Sequence, residues 1–109
     1  MGDRGTVEIH GVYLYTHWGA SDLIDVVREA LAKKWRWNDE SYLARIIFDT
    51  MLDGTHGNET GFGIMNEPAD EWRCVHVDCN KQRVIVVDNG KENINQSFEN
   101  FIMRQQNVR

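Results

Sequence analysis

Hydrophobic and polar residues alternate in two short runs near the start of the chain, at residues 5–9 and 12–17, which His10 and Gly11 separate. Alternation with a period of two is typical of half-buried strands. A two-residue link that ends in glycine between such runs predicts a β-hairpin with a primed turn. The pattern therefore predicts an N-terminal hairpin.

The register that this turn imposes decides which side chains share a face of the hairpin. Ile9 pairs with Val12 and Val7 with Leu14, so that these four aliphatic side chains lie on one face. The opposite face then carries Arg4, Thr6, Glu8, Tyr13, Tyr15 and His17. We expect the aliphatic face to enter the core and the aromatic face to lie away from it.

Two stretches have the spacing of amphipathic helices. The first is predicted over residues 22–35, with Ser21 as its N-cap. The second begins after an N-cap at Asn38 or Asp39 and ends before Gly54. The inward positions predicted for the first helix are Leu23, Val26, Val27, Ala30, Leu31 and Trp35, and its outer face carries Asp25, Arg28, Glu29 and Lys33. The inward positions predicted for the second helix are Tyr42, Leu43, Ile46, Ile47 and Met51.

The second half of the chain is predicted to be mostly strand. We expect a short strand at residues 61–64, a second hairpin from 73–78 and 83–87, a loop at 89–96 and a short amphipathic helix at 97–103. The order is then ββ-αα-βββ-α, which predicts a single α+β domain over the whole chain. Its core would be an antiparallel sheet of about five strands with two main helices packed on one face.

Composition and charge exclude several classes of protein. A chain of 109 residues that is 41% hydrophobic is long and apolar enough for one core, which excludes disordered and low-complexity classes. The 17 acidic residues outnumber the 12 basic ones and give a net charge of −5, which argues against general nucleic-acid binding, since that needs clustered cations. No run approaches the roughly 20 apolar residues of a membrane span or forms a signal core, so we expect a cytoplasmic protein.

Cys74, His76 and Asp78 share one face of their strand, on the side of the sheet that also carries His17. Zinc sites usually show pairs such as Cys-x-x-Cys or His-x-x-x-His, and neither pair occurs, so we expect no metal and no cofactor. Side chains at alternate positions of a strand stand about 6 to 7 Å apart, too far to form a catalytic set without another strand. The sequence thus favours a protein without enzymatic activity, and the odd spacing to Cys79 predicts no disulfide.

The aromatic face of the first hairpin is the main candidate for a function, because it gathers Tyr13, Tyr15 and His17 next to Trp18. Aromatic side chains with polar tips supply large contact areas at low entropic cost and are enriched at the centres of interfaces. This face is either open to a protein partner or covered by the chain's own residues 55–72. The pattern leaves both alternatives open.

A small-ligand site is the alternative candidate. Gly61 and Gly63 flank Phe62 in a short strand, where bare backbone lets a ligand approach closely. If Trp18 and His76 lie near these glycines, an indole beside free amides would suit the base and the phosphate of a nucleotide.

Four separated blocks of sequence are distinctive: GDR at 2–4, YLYTHWG at 13–19, YLARIIF at 42–48 and TGFGI at 60–64. In this order they resemble a group of small bacterial, phage and prophage proteins, over about residues 2–88. The resemblance implies no activity and no site residues. It implies a context, because small proteins of mobile elements often act on the host by binding, as protein inhibitors or as traps for a signalling nucleotide.

These observations predict a non-catalytic binding module that acts by protein–protein contact, expected to be a homodimer and a host-interaction or counter-defence factor. The alternative is a protein that binds or sequesters a nucleotide. The candidate binding residues are Tyr13, Tyr15, His17, Trp18, Gly61, Phe62, Gly63 and His76.

Overall fold

A computed structural model of the chain describes residues 3–54 and 59–103. The strands are β1 (Gly5–Ile9), β2 (Val12–Thr16), β3 (Phe62–Met65), β4 (Arg73–Asp78), β5 (Arg83–Asp88) and β6 (Lys91–Ser97). The helices are α1 (Leu23–Ala32), α2 (Glu40–Leu52) and α3 (Phe98–Met103), and a 3-10 turn at Ala20–Asp22 precedes α1. Part of the predicted loop, residues 55–58, lies outside the described residues.

The α+β class is confirmed, but the sheet has six strands and is mixed, in the order β3-β2-β1-β4-β5-β6. The prediction of about five antiparallel strands is wrong in two respects. First, β1 and β4 lie side by side in parallel at the centre of the sheet, with Val7 in register with Val75. No local sequence pattern predicts a parallel pair of strands, because the two strands are far apart in the chain.

The second error concerns the predicted loop at 89–96, most of which belongs to β6, an edge strand antiparallel to β5. The turn between them is Asn89–Gly90, and both residues have positive φ angles, 50° and 82°. Asn-Gly is a strong signal for such a hairpin turn, but the residues after it are mostly polar and lack the apolar–polar alternation that predicts a strand. A polar sequence suits an edge strand, where one side of the ladder faces solvent.

The N-terminal hairpin has the predicted register, with Ile9 opposite Val12 and Val7 opposite Leu14. Val7, Ile9 and Leu14 are buried in the core, whereas Val12, next to the turn, is 37% exposed. The buried residues of β4 and β5 lie on the same face and pack with the apolar residues of all three helices. The core is thus a single layer between one face of the sheet and the helices.

The first helix begins and ends differently from the prediction. Its N-cap is Asp22, without a side-chain hydrogen bond, while Ser21 lies in the preceding 3-10 turn. It ends at Ala32, and the left-handed backbone of Lys34 and Arg36 then turns the chain. Asp39 caps α2 as predicted, since its side chain accepts a hydrogen bond from the backbone of the first helical turn.

Two tryptophans near the end of α1 differ in their burial. Trp35, predicted to point inward, is 59% exposed because the helix ends before it. Trp37 packs edge-to-face on Phe98 of α3, with 5.2 Å between ring centroids, and its indole N–H donates to the carbonyl oxygen of Leu31 over 3.0 Å. Trp37 therefore closes the core at this corner.

Two further residues differ from the helical pattern. Tyr42, predicted to face inward, is 49% exposed. Arg28, predicted on the outer face of α1, is 5% exposed, because its Nε donates to the carbonyl oxygen of Phe101 over 2.9 Å and its guanidinium lies over the Phe101 ring. This cation attaches α3 to α1, a contact that periodicity alone does not predict.

Length and hydropathy also bear on a membrane location. Across the two described ranges, no helix is both long enough and apolar enough to cross a bilayer.

The two tryptophans allow a matched test of this corner. We expect Trp37→Ala to lower the free energy of unfolding by about 3 kcal/mol, because it removes a ring that packs on Phe98. Trp35→Ala should change it by less than about 0.5 kcal/mol, since that ring is mostly solvated. Urea denaturation followed by circular dichroism measures both. Equal losses in the two variants would contradict the assignment of Trp37 to the core.

Candidate functional site

The face of the sheet opposite the helices carries two rows of polar and aromatic side chains. Tyr15 on β2 is in register with Thr6 on β1, which is in register with Cys74 on β4. The next row along the strands contains Tyr13, Glu8 and His76 in the same strand order. The parallel pairing of β1 with β4 therefore joins the predicted aromatic face to the predicted Cys74–His76 face. We call these six residues the polar face.

The connection from β3 to β4, residues 66–72, lies partly over the polar face. It must pass β2 and β1, because β3 is at the edge of the sheet and β4 lies beyond β1. Near its end, Glu71 accepts a hydrogen bond from the Thr6 hydroxyl over 3.3 Å, and Thr6 has no exposed surface. Tyr13 and Tyr15 are half-buried. The polar face is neither fully open nor sealed.

His76 is the most perturbed group of the polar face. A side-chain hydrogen bond with Cys74 is the largest of several contributions that raise its pKa to about 9, and the hydrogen bond and charge of Glu8 act in the same direction, against the effect of burial. Nδ1 of His76 lies 2.8 Å from Oε1 of Glu8. At neutral pH the ring is therefore an imidazolium that contacts the carboxylate of Glu8.

Asp78, which the sequence placed in line with Cys74 and His76, has a different role. Its Oδ1 accepts hydrogen bonds from the backbone of Asn80 and Lys81, over 2.9 and 3.1 Å. It therefore stabilises the turn between β4 and β5. The carboxylate that orients His76 comes from the neighbouring strand instead.

The structure brings His17, Trp18 and Gly61 together at the end of β2. The backbone N–H of His17 donates to the carbonyl oxygen of Gly61 over 2.9 Å, and its ring meets the Trp18 ring edge-on, with 4.7 Å between centroids. The Tyr15 hydroxyl lies 2.8 Å from Nδ1 of His17. Gly61 has a φ of 104°, and a Cβ there would come within 3.1 Å of the Trp18 ring. This close approach requires glycine.

His76 does not join that group. Gly63 pairs with Tyr15 on β2, whereas His76 lies two strands away on β4, in the row of Tyr13. The proposed nucleotide site needed His76 beside Trp18 and Gly61. The structure therefore divides the predicted site residues into two groups, one at the end of β2 and one on the polar face.

A cleft of about 340 Å³ opens beside Trp18, where α1, the end of α2 and the start of β3 meet. Its apolar lining comes from Trp18, Leu23, Val26, Met51 and Phe62. Trp18 is 61% exposed, so its indole forms part of the rim. A cleft of this size, mostly apolar with a few polar groups, is typical of a site for a small ligand or for one or two side chains of a partner.

The polar lining of this cleft is acidic. It contains the exposed carboxylates of Asp22, Glu29 and Asp53, with the hydroxyls of Thr16 and Thr50, and no lysine or arginine among its described residues. None of the three carboxylates forms an ion pair with a residue in the described ranges. The N-terminus of α1 and the C-terminus of α2 both lie at the cleft and contribute dipole ends of opposite sign, so the carboxylates determine its charge. The cleft is therefore electrostatically suited to a cation.

Sequence reasoning found Trp18 and Phe62 but missed the carboxylates. Asp22, Val26 and Glu29 are spaced as i, i+4 and i+7, so they follow one side of α1, and this spacing was available in the sequence. Asp53 reaches the cleft only through the packing of α2 against α1. Within residues 3–54 and 59–103, no group of three or more His, Cys, Asp or Glu side chains could hold a metal ion.

Comparison with known proteins adds no further constraint. No protein-family model, curated protein or solved structure matches the chain. The chemistry of the cleft and of the polar face therefore has to be argued from their own residues.

The raised pKa of His76 predicts a pH-dependent stability. The contribution of the protonated ring is complete below pH 6.5, the ordinary value for histidine, and is lost as the pH rises through about 9. His76→Gln should lower the free energy of unfolding, and we expect this decrease to be about 1 kcal/mol larger at pH 6 than at pH 10. This figure takes into account that solvent screens the charges of a half-buried pair.

Urea denaturation of both proteins at the two pH values measures this difference. Glu8→Gln should show the same trend, because it removes the carboxylate that the imidazolium contacts. A loss in His76→Gln that is equal at pH 6 and pH 10 would contradict the charged state of the ring.

Proposed function

We propose that this protein is a binding module that recognises a protein partner through a lysine or arginine side chain inserted into the cleft beside Trp18. The partner segment is extended and basic, and it lies along the exposed edge of β3. No chemical step is part of this function. In the context that the sequence resemblance implies, the partner would be a host protein.

The main support for the proposal is that the rim of an otherwise apolar cleft bears carboxylates that form no ion pair within the described residues. The aliphatic stem of a lysine or arginine would pack on Leu23 and Val26, while its charged head would reach a carboxylate of the rim, Asp22 or Glu29. The exposed ring of Trp18 adds a cation–π contact, which is strongest for an indole. The net charge of −5 favours the approach of a basic partner over the whole surface.

The edge strand next to the cleft gives the partner segment a place to bind. β3 is at one edge of the sheet, and Phe62, its first residue, also lines the cleft. Ile64 in the same strand is 63% exposed, and Val12 beside it is 37% exposed. An extended peptide that adds to such an edge gains backbone hydrogen bonds and places alternate side chains on the same face. One of these side chains would then enter the cleft.

The acidic rim of the cleft argues against two other occupants, namely the phosphate of a nucleotide and a second copy of this chain. A phosphate at the N-terminus of α1 would meet the carboxylate of Asp22, which already occupies the position that favours an anion. A second copy of the chain would bring an identical acidic rim to the cleft, and like charges that face each other are unfavourable. A basic segment of another protein has neither disadvantage.

The test uses a six-residue peptide of alternating threonine and arginine, titrated into ¹⁵N-labelled protein and followed by NMR. We expect the backbone amide chemical shifts to change at Trp18, at the start of α1 and in β3, and the affinity to fall as the salt concentration rises. A peptide with glutamate in place of arginine, and ATP, serve as matched probes that should produce no shifts there. Binding of ATP instead of the basic peptide, equal binding of both peptides or no binding of either would overturn the proposal.

Two double variants with the same change of net charge test the role of the cleft. Asp22→Asn with Glu29→Gln removes two rim carboxylates, and we expect the affinity for the basic peptide to fall about tenfold. Glu92→Gln with Glu99→Gln neutralises two exposed carboxylates outside the cleft and should change it less than about twofold. Equal losses in both variants would show that net charge, and not the cleft, determines binding.

A further inference from the structure

The connection between α1 and α2 carries side chains that the proposed function does not use. Its first four residues, Lys33-Lys34-Trp35-Arg36, place three basic residues around one tryptophan. Lys34 and Arg36 have left-handed backbone, with φ angles of 61° and 57°, which is uncommon for residues other than glycine, asparagine and aspartate. Strained backbone of this kind is enriched at sites that bind ligands. Here the two residues flank Trp35, which is mostly exposed.

Trp35 shares a surface groove with a second exposed aromatic residue, Tyr42 of α2. The groove has a volume of about 360 Å³, and Arg36, Arg45 and Ile46 complete its lining. We call these five residues the aromatic groove. It is formed by the residues after α1 and by the first half of α2, whereas the acidic cleft is lined by the start of α1 and the end of α2. The two sites therefore lie at opposite ends of the helix pair.

Each ring of the aromatic groove has a cation over it. The guanidinium carbon of Arg36 lies 4.3 Å from the centroid of the Tyr42 ring, and Nζ of Lys33 lies 5.4 Å from the centroid of the Trp35 ring. Arg45 follows Tyr42 by three residues, so both lie on the same side of α2. A cation covers at most one face of a ring, and both aromatic residues are exposed. Ring surface therefore remains available for another planar group.

The cations of the groove are accessible to an anion. Arg36 and Arg45 form ion pairs with Asp39 and Asp49, over 3.8 and 2.6 Å, but both guanidinium side chains are more than half exposed. Ion pairs in solvent contribute little free energy, so a phosphate, which a guanidinium can bind with two hydrogen bonds, competes with these carboxylates. Lys33 forms no ion pair with any residue in the described ranges.

We propose that the aromatic groove binds a short stretch of single-stranded nucleic acid. One base stacks on Trp35 and the next on Tyr42, while Arg36 and Arg45 contact the phosphates between and beside them. Exposed rings interleaved with cations are typical of proteins that bind single strands, because every base has a face that can stack. An acidic peptide would use the cations alone, and a duplex keeps its bases stacked on each other. Neither would use both rings.

The charge of the whole chain limits the length of strand that is bound. The net charge of −5 repels a polyanion outside the groove, so we expect contact with about two nucleotides and not along the surface. A mononucleotide can stack on only one of the two rings and binds more weakly. The site is separate from the acidic cleft and does not depend on the proposed binding function.

The experiment titrates ¹⁵N-labelled protein with hexamers of uridylate and of thymidylate. We expect the indole N–H resonance of Trp35 and the backbone amides of residues 33–46 to shift, with an affinity that falls as the salt concentration rises. Two matched probes have similar charge but no bases, namely an abasic deoxyribose-phosphate hexamer and a hexaglutamate peptide. Both should bind at least tenfold more weakly. Shifts with either hexamer support the proposal, and their relative affinities distinguish RNA from DNA.

Two exposed tryptophans give a matched pair of variants, with affinities measured by fluorescence anisotropy of a labelled hexamer. Trp35→Ala should lower the affinity about tenfold, because it removes one stacking platform. Its stability is expected to be nearly unchanged, so unfolding does not account for the loss. Trp18→Ala, at the acidic cleft, should change the affinity less than about twofold.

A second pair of variants tests the phosphate contacts at equal change of net charge. Arg36→Gln should lower the affinity about threefold, whereas Lys91→Gln, on the exposed edge strand β6, should leave it unchanged. Equal losses within either pair, equal binding of the abasic or glutamate probe, or no shift at Trp35 with either hexamer would overturn the proposal.

Discussion

The parallel pairing of β1 with β4 is the constraint on which the rest of the structure depends. It places the first hairpin and the second hairpin in one sheet, so that Val7 and Val75 meet in the same core layer. It also obliges residues 66–72 to pass from the edge of the sheet to its centre, because β3 lies on the far side of β2. The partial cover of the polar face follows directly from this connection.

The same pairing decides the chemistry of the polar face. Glu8 and His76 are 68 residues apart in the chain, yet they are in register on adjacent strands and their side chains are in contact. Along a single strand, the spacing between Cys74, His76 and Asp78 prevents a connected set of three. The neighbouring strand supplies the carboxylate that His76 contacts, while Asp78 stabilises a turn.

The cleft has a different origin, in the corner between α1, α2 and the edge strand β3. At the end away from the cleft, the core under the helices is closed, because Trp37 and Phe98 pack together there and Arg28 attaches α3. At the near end, beside the cleft, the ring of Trp18 is mostly exposed, and the carboxylates of Asp22, Glu29 and Asp53 form no ion pair within the described part of the chain. The proposed function concerns these unpaired groups of the cleft.

The sequence by itself determined the features that depend on near neighbours in the chain. The hairpin at His10–Gly11, an N-cap at Asn38 or Asp39 and the strands β3, β4 and β5 follow from turn chemistry and from periods of 2 and 3.6 residues, which act over a few positions. Only the tertiary structure decided the strand order, the burial of Arg28 and the neighbours of His76. These depend on contacts between segments far apart in sequence, and the identity of a residue does not specify which distant strand will lie beside it.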